Sequence, residues 1–464
     1  MPRAGVREDQ AAIVAAALAA VRPERLVASR LGMAGADLCL DGRPVASLAR
    51  GRIAVVGGGK AAAGMAAAVV RLLEAGGVAA DRIRGLVSVP AGCGLDLTGV
   101  EVRETRPAAE NLPTPAAVAA TREMLALVGT LGPDDLAVAV VSGGGSALMA
   151  APRAGVPLAE KIAVTRFLSA AGAGINELNL VRQVASDVKG GGLARACSAG
   201  RLLVLVLSDV IGDPLDVIAS GPCLPATATA ADALAVLERF AATAAAPHLT
   251  SLLRADAAPG RAGPRGDPPA ASWTTQRGCR VEHVLLGTNA TAVAAAAREA
   301  ERLGYLVTPR PARAGSGETA DDVGRRLGRD GVALAAAAAA DGRPRGIVEG
   351  GEAVVRLPAA HGRGGRNQQT VAAALAAMFG LGRVWPPGLL VASLGTDGED
   401  GPTTAAGGVA DAAVAKRIRE LDLDVAAAVA RCDAEPLLEA AGGLIVTGPT
   451  GTNVADVRLV LARP

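Results

Sequence analysis

Ile53-Ala54-Val55-Val56-Gly57-Gly58-Gly59-Lys60 decides the reading of this chain, because four apolar residues run straight into three glycines and a lysine. The same arrangement recurs: residues 136–141 lead into Ser142-Gly143-Gly144-Gly145-Ser146, and 202–207 into Ser208-Asp209-Val210-Ile211-Gly212-Asp213. Farther on, 389–394 lead into Gly395-Thr396-Asp397-Gly398-Glu399-Asp400-Gly401, and 444–446 into Thr447-Gly448-Pro449-Thr450-Gly451-Thr452-Asn453. Continuous apolar runs of this length predict strands buried on both faces, as in a parallel sheet covered by helices. Open α/β sheets bind ligands where the strands deliver their loops, and glycine there lets backbone amides approach an anion. The pattern is that of an enzyme handling phosphate.

Composition narrows the class. At 464 residues the chain holds two substantial cores. Its 50% apolar content includes only three Phe, two Trp and one Tyr, so little surface is left for stacking a flavin or an unpaired base. A net charge of +2 with interspersed signs lacks the basic stripe of a nucleic-acid binder. The six cysteines (Cys39, Cys93, Cys197, Cys223, Cys279, Cys432) form no CxxC pair, as expected of free thiols in a reducing cytosol. The apolar stretch 11–21 follows Glu8 and Asp9 and is too short to span a bilayer, so it reads as a first helix over 9–22 rather than a signal segment. The expectation is a soluble, cytoplasmic protein with no nucleic-acid or membrane partner. Of 47 basic residues only Lys60, Lys161, Lys189 and Lys416 are lysine. In an arginine-favouring composition, lysines kept beside glycines at 60 and 189 suggest a need for a compact ammonium.

Strand–loop–helix units predict a first domain over 1–255, with Thr114-Pro115 starting a helix as cap and first residue. The Pro/Gly/Arg-rich stretch 256–280 reads as a connection, and 281–464 as a second α/β domain. The second opens on a strand at 281–286, carries helices over 288–303, 320–340 and 367–378, and has a hairpin over 347–357 and a last strand near 454–462.

The loops leave alternatives. Gly57–Lys60 fails as a Walker A loop, since no Ser or Thr follows the lysine. It fits GxGxxA, yet the next strand, 86–89, ends without the acid that would hold a ribose. Otherwise it is an anion-binding turn with Lys60 at a helix start, or a structural turn. Ser142-Gly143-Gly144-Gly145-Ser146 breaks the nucleophile-elbow pattern at Leu148, and either wraps a phosphate, with Ser146 as donor, or turns tightly. Asp209 and Asp213 suit Mg²⁺ or deprotonation of a hydroxyl, or cap a helix. Arg366, among glycines at a helix start, either grips phosphate or carboxylate or is a solvated arginine.

Taken in order, Val56–Ala62 with Met65, Ser142–Leu148, Asn179–Leu193, Leu207–Pro222, Gly287–Asn289, Gly317-Glu318, Gly350-Gly351-Glu352, Gly362–Gln368, Thr396–Gly401, Gly407-Gly408 and Thr447–Val454 resemble the class II glycerate kinases, the glycerate 2-kinases of the MOFRL family. The resemblance implies two α/β domains, an N-terminal Rossmann-like doubly wound domain and a C-terminal MOFRL-type domain, with a cleft between them. It implies ATP- and Mg²⁺-dependent phosphorylation of D-glycerate at the 2-hydroxyl, to 2-phospho-D-glycerate and ADP. Lys60, Arg366 and Asp209 are then catalytic. Gly57, Gly58, Gly59, Ser142, Gly143, Gly144, Gly145, Ser146, Lys189, Gly190, Gly191, Asn289, Thr450 and Asn453 hold nucleotide or phosphate, Arg182 and Ser186 the substrate, and Asp213 and Asp397 the metal. A homodimer is compatible with this reading. Arg106-Pro107-Ala108-Ala109-Glu110-Asn111 stands where a His-Pro-x-Pro-Asp-like segment is expected, which leaves the acceptor open among small hydroxy acids. The alternative is an NAD(P)H-dependent hydroxypyruvate reductase.

Overall fold

The computed structural model describes residues 5–108, 111–258, 271–315, 317–380, 382 and 384–464. Residues 259–270 of the expected connection and Ala109 and Glu110 of the divergent segment lie outside them. The chain divides into two units, Leu26–Leu286 and Met1–Arg25 with Gly287–Pro464.

The first unit begins with a small antiparallel sheet of β1 (Leu31–Ala34), β2 (Asp37–Leu40) and β3 (Arg43–Ser47). Its main sheet contains β4 (Ile53–Gly58), β5 (Ile83–Pro90), β6 (Val100–Arg106), β7 (Leu136–Ser142), β8 (Arg201–Leu207), β9 (Ser272–Thr274) and β10 (Arg280–Gly287). The order is β6-β5-β4-β7-β8-β10-β9, and β6 through β8 pair in parallel. The apolar runs follow from burial on both faces. Ala54, Val56, Ala137, Ala139 and Val141 share a core with Ala120, Met124 and Val128 of helix Pro115–Gly129. The alternate residues Val55, Val138 and Val140 are equally buried. Thr114 caps that helix, accepting from Ala117 N at 3.1 Å. From β4 the chain winds outward to β5 and β6, then returns to β7 on the other side of β4. This is the Rossmann strand order, and its switch point lies between β4 and β7.

A helical subregion adjoins this sheet. Helices Leu158–Ala170, Ile175–Val184, Ala230–Arg239 and Pro247–Asp256 bury Val164, Leu168, Leu178, Val181, Leu237 and Leu249 together.

The second unit has one six-stranded sheet of β11 (Leu306–Arg310), β12 (Arg345–Gly351), β13 (Leu389–Gly395), β14 (Gly407–Ala410), β15 (Leu444–Ile445) and β16 (Asp456–Ala462), in the order β11-β12-β16-β13-β14-β15. Only β11 and β12 pair in parallel; the other pairs are antiparallel. The run entering Gly395 is thus a buried strand but not one of a parallel sheet. Helices Ala320–Asp341 and Arg366–Gly380 enclose the core, with Leu327, Val371, Leu375, Leu389 and Val460 inside it.

Three expectations change. The strand at 281–286 is β10 of the first sheet rather than the opening of the second. The segment 347–357 is not a hairpin: β12 pairs with β11 and β16, and a Cβ on Gly350 would stand 1.7 Å from Asn289 Oδ1. Those glycines mark close packing rather than a turn. The first helix, Val6–Ala20, belongs to the second unit, where buried Asp9 accepts from Arg463 Nε (2.8 Å) and Tyr305 Oη (2.5 Å). Hydrophobic periodicity shows that such a helix is buried, not which sheet buries it. Among the described residues no helix is long and apolar enough to cross a membrane.

Candidate active site

The turns after β4 and β7 meet at the switch point of the first sheet. Lys60 N donates to Gly143 O at 2.8 Å, and Ala61 N to Ser142 Oγ at 3.0 Å. The glycines permit this contact. Gly57 and Gly59 have φ of 151° and 144°, and a Cβ would lie 2.0 Å from Val140 O at the first and 2.2 Å from Ser142 Oγ at the second. Gly57, Gly58 and Gly59 therefore serve backbone packing, and the turn amides of Gly59, Lys60, Ala61 and Ala62 are already engaged, by Ser88 O, Gly143 O, Ser142 Oγ and Gly59 O. Those four turn amides are therefore spent on the protein itself and not on the pyrophosphate of a dinucleotide.

Gly144 has φ of 77° and precedes the short helix Gly145–Leu148, whose first amides have no acceptor within that helix. A Cβ at Gly144 would stand 3.1 Å from Arg106 Nη2 and 3.6 Å from Lys60 Cγ, so both cationic side chains run beside this turn. Arg106 ends β6 and is 5% exposed. The sequence marked it only as a departure from the resemblance, whereas the fold brings it to the turn.

Lys189 is 1% exposed, and its ammonium donates to Ser146 O (2.9 Å), Ser146 Oγ (2.7 Å) and Ala219 O (3.2 Å). Gly190 N and Gly191 N donate to Ser220 O and Gly221 O. Lys189 thus ties the Ser146 turn to the 219–221 segment, with no free amide at Gly190 or Gly191 to cradle phosphate. Ser186 donates to Ala151 O at 3.0 Å, so its proton faces the backbone and not a substrate. Arg182 is partly buried on helix Ile175–Val184. Asp209 is half-buried in the loop leaving β8, the strand beside β7. Asp213, four residues on, takes a left-handed φ of 55°.

In the second unit Arg366 opens its helix as part of a carboxylate network. Nε and Nη2 reach Asp456 Oδ2 and Oδ1 at 2.8 and 2.9 Å, and Nη1 reaches Glu352 Oε1 at 2.9 Å. Burial opposes that charge, but Asp456 and Glu352 outweigh it and hold Arg366 above its ordinary pKa. Asp456 is fully buried. Asp400 caps the same helix, accepting from Asn367 N (3.0 Å) and Gln368 N (2.8 Å). Beside the network a cavity of about 500 Å³ is lined by Arg310, Arg326, Glu349, Glu352 and Arg458.

The remaining expected residues are tied to backbone. Asn289 Nδ2 donates to Val454 O and Asp456 O, both at 2.9 Å, joining helix Asn289–Arg302 to β16. Thr450 Oγ1 donates to Thr396 O at 2.6 Å, Asn453 Oδ1 accepts from Ala455 N at 3.3 Å, and Asp397 Oδ1 accepts from Glu399 N at 3.1 Å. Among the described residues no three His, Cys, Asp or Glu side chains gather as a metal cluster. Sequence reasoning missed Asp456. The available signal was an acid opening the run Asp456-Val457-Arg458-Leu459-Val460-Leu461, with a second charge two residues along on the same face.

Burial raises Asp400 to about 6, against the lowering effect of the two amides it accepts. A folded-state value above the unfolded one makes the native state bind the extra proton, so stability falls as pH rises through the interval between them. Relative to Asp400→Asn, wild type is expected to lose ~3 kcal/mol of unfolding free energy between about pH 4 and 6, with no further change above that window. Denaturant unfolding of both proteins across pH measures it, and a flat difference would refute the titration.

Comparison with known proteins agrees with this arrangement. Residues 9–254 match the family described as a domain of unknown function, DUF4147, and 346–456 match the MOFRL family. The chain is 35% identical to the glycerate kinase of Homo sapiens, covering 89% of this chain and 85% of that one. It is 31% identical to the glycerate 2-kinase of Pyrococcus horikoshii, covering 98% and 97%. A relative from Agrobacterium vitis named as a putative hydroxypyruvate reductase is 35% identical, covering 89% and 87%. The crystal structure of a Thermotoga maritima glycerate kinase superposes with a TM-score of 0.77 at 31% identity, covering 97% of each chain. With both family matches in register and this kinship along nearly the whole length, the chain belongs to the class II glycerate kinases.

Proposed function

We propose that this enzyme transfers the γ-phosphoryl group of ATP to the 2-hydroxyl of D-glycerate, giving 2-phospho-D-glycerate and ADP. The observation that carries the proposal is the Rossmann switch point, where the Lys60 side chain runs beside the Gly144 turn. Phosphoryl transfer needs positioned positive charge more than covalent chemistry. In this reading Lys60 faces the γ-phosphoryl oxygens, and the amides opening helix Gly145–Leu148 steady the phosphate chain. Asp209 takes the proton of the acceptor hydroxyl as its oxygen attacks phosphorus and ADP departs. Arg366, already oriented by Asp456, is the proposed second catalytic cation. The name of the Pyrococcus relative, glycerate 2-kinase, supports the 2-hydroxyl as the accepting group.

Magnesium, when bound, neutralises phosphate oxygens. It is commonly held by one or two carboxylates together with the substrate phosphates, so isolated aspartates fit it and a three-residue cluster is not required. Asp213, in the loop that follows β8, is the proposed holder. The proposed setting is the cytoplasm, where the six free cysteines stay reduced. The reductase alternative is disfavoured because Lys60 N and Ala61 N are engaged where a dinucleotide pyrophosphate would need them.

The purified protein should form ADP from ATP only when D-glycerate or a close hydroxy acid is present, and should leave NADH unchanged with hydroxypyruvate. NADH loss without ADP formation would replace the kinase reading. Asp209→Asn tests the proton acceptor: turnover should nearly vanish while Tm stays put, because Asn caps a helix almost as well as Asp. Full activity in that variant would return Asp209 to a capping role.

A further inference from the structure

Lys161 lies on helix Leu158–Ala170, is 5% exposed, and its ammonium is buried without a hydrogen-bond partner among the described residues. It adjoins two more cations. Lys189 meets only the neutral acceptors of Ser146 and Ala219. Arg182 is held below its ordinary pKa by burial, with no carboxylate offsetting it. Burial first, and then repulsion by Arg182, push Lys161 down to about 8; burial and repulsion by Lys161 and Arg182 lower Lys189 as well. Asp187 is the acid that opposes these shifts at Lys161, and it is exposed and shared with Arg153 and Arg122. Asn179 adds a buried amide nitrogen without a partner, while its Oδ1 accepts from Ser220 Oγ at 3.2 Å. Ser220 Oγ in turn lies 3.1 Å from Ser146 Oγ.

Buried like charges without counter-ions are costly, and an ammonium with no acceptor is costlier still. Lys161 has no acceptor, Lys189 meets only neutral ones on the Ser146 turn and at Ala219, and the idle Asn179 amide sits one serine, Ser220, away from that turn, an arrangement that an anion from outside the chain would complete. We propose that Lys161, Arg182 and the Asn179 amide form the seat for the carboxylate of the acceptor, with Lys189 positioning the Ser146 turn beside it. The Gly144 side of that turn, where Lys60 runs, is then left for the phosphoryl group. The planar fork of Arg182 matches a carboxylate bidentately, and Lys161 supplies the second charge. This rests on reading the protein as a kinase for a small hydroxy acid, and it assigns Lys161 and Asn179, which the family resemblance did not.

The test compares Lys161→Met and Arg182→Met with wild type in the full-length protein. Each is expected to raise KM for D-glycerate about tenfold or more, with kcat at saturation changing much less, as for loss of binding shared by ground and transition states. Without ATP, the rise in Tm given by D-glycerate should shrink in both, while that given by inorganic phosphate persists. The unliganded Tm of Lys161→Met should be unchanged or higher, because an uncompensated buried charge has been removed. If Lys161→Met does not fold, Arg182→Met carries the same readouts. An unchanged KM and an unchanged D-glycerate shift would overturn the seat while leaving the kinase reading intact. Loss of the phosphate shift alone would overturn its assignment to the carboxylate. A wild-type protein that forms no ADP, but whose D-glycerate shift disappears in both variants, would retain the seat and remove the kinase.

Discussion

Lys60→Ala is expected to lower kcat by roughly two to four orders of magnitude while leaving Tm close to wild type. The backbone amide of residue 60, which fixes the turn through Gly143 O, survives the substitution, so the local fold has no reason to change. What disappears is a positive charge beside the Gly144 turn, where the proposed mechanism places the transferring group. Lys60→Arg should rescue poorly. Arg106 already occupies the other side of that turn, and a planar guanidinium cannot take the place of a compact ammonium there. Steady-state kinetics with thermal melts on both variants checks this, and near-normal turnover in Lys60→Ala would remove the lysine from the chemistry.

Arg366→Ala should destabilise the second unit by about 3–5 kcal/mol, because it takes the guanidinium fork from the fully buried Asp456 carboxylate and leaves it the Asn367 amide and the more distant Arg458. Activity will fall with it, and that loss alone would not identify a catalytic cation. Arg366→Lys separates the effects. It keeps a charge near Asp456 and should recover much of the stability, yet it loses the fork that spans Asp456 and Glu352. Denaturant midpoints and kcat for the two variants measure both terms. Equal stability of Arg366→Ala and wild type would mean that the pair does not hold the helix start as the geometry indicates.

The long buried strands β4, β7, β8, β10 and β13 and several helices were legible because continuous apolar runs and Ala-rich periodicity report burial directly, whereas β1 to β3, β6, β11 and β14 carry no such run. Helix Ala320–Asp341 lies within a residue of its expected span, and Thr114 caps as its sequence suggested. Partnership was less legible. Nothing in the residues of β10 says that it completes the first sheet, and nothing in Val6–Ala20 names the second unit as its host, since a sequence pattern specifies a buried face but not what covers it. The glycine turns were located correctly, but their amides were not. Whether an N–H faces a ligand or a neighbouring carbonyl depends on the strand alongside, as at Lys60 and Gly143. Lys161 lay outside any glycine cluster and drew no attention; only the fold shows that its helix buries it next to Arg182 and Lys189.

The phosphorylated product of D-glycerate is the most direct measurement. Purified enzyme incubated with ATP, Mg²⁺ and D-glycerate should give equimolar ADP and 2-phosphoglycerate, resolved from the 3-isomer by phosphorus NMR. A product that is solely 3-phosphoglycerate would contradict the assigned hydroxyl, and no ADP with any small hydroxy acid would contradict phosphoryl transfer itself.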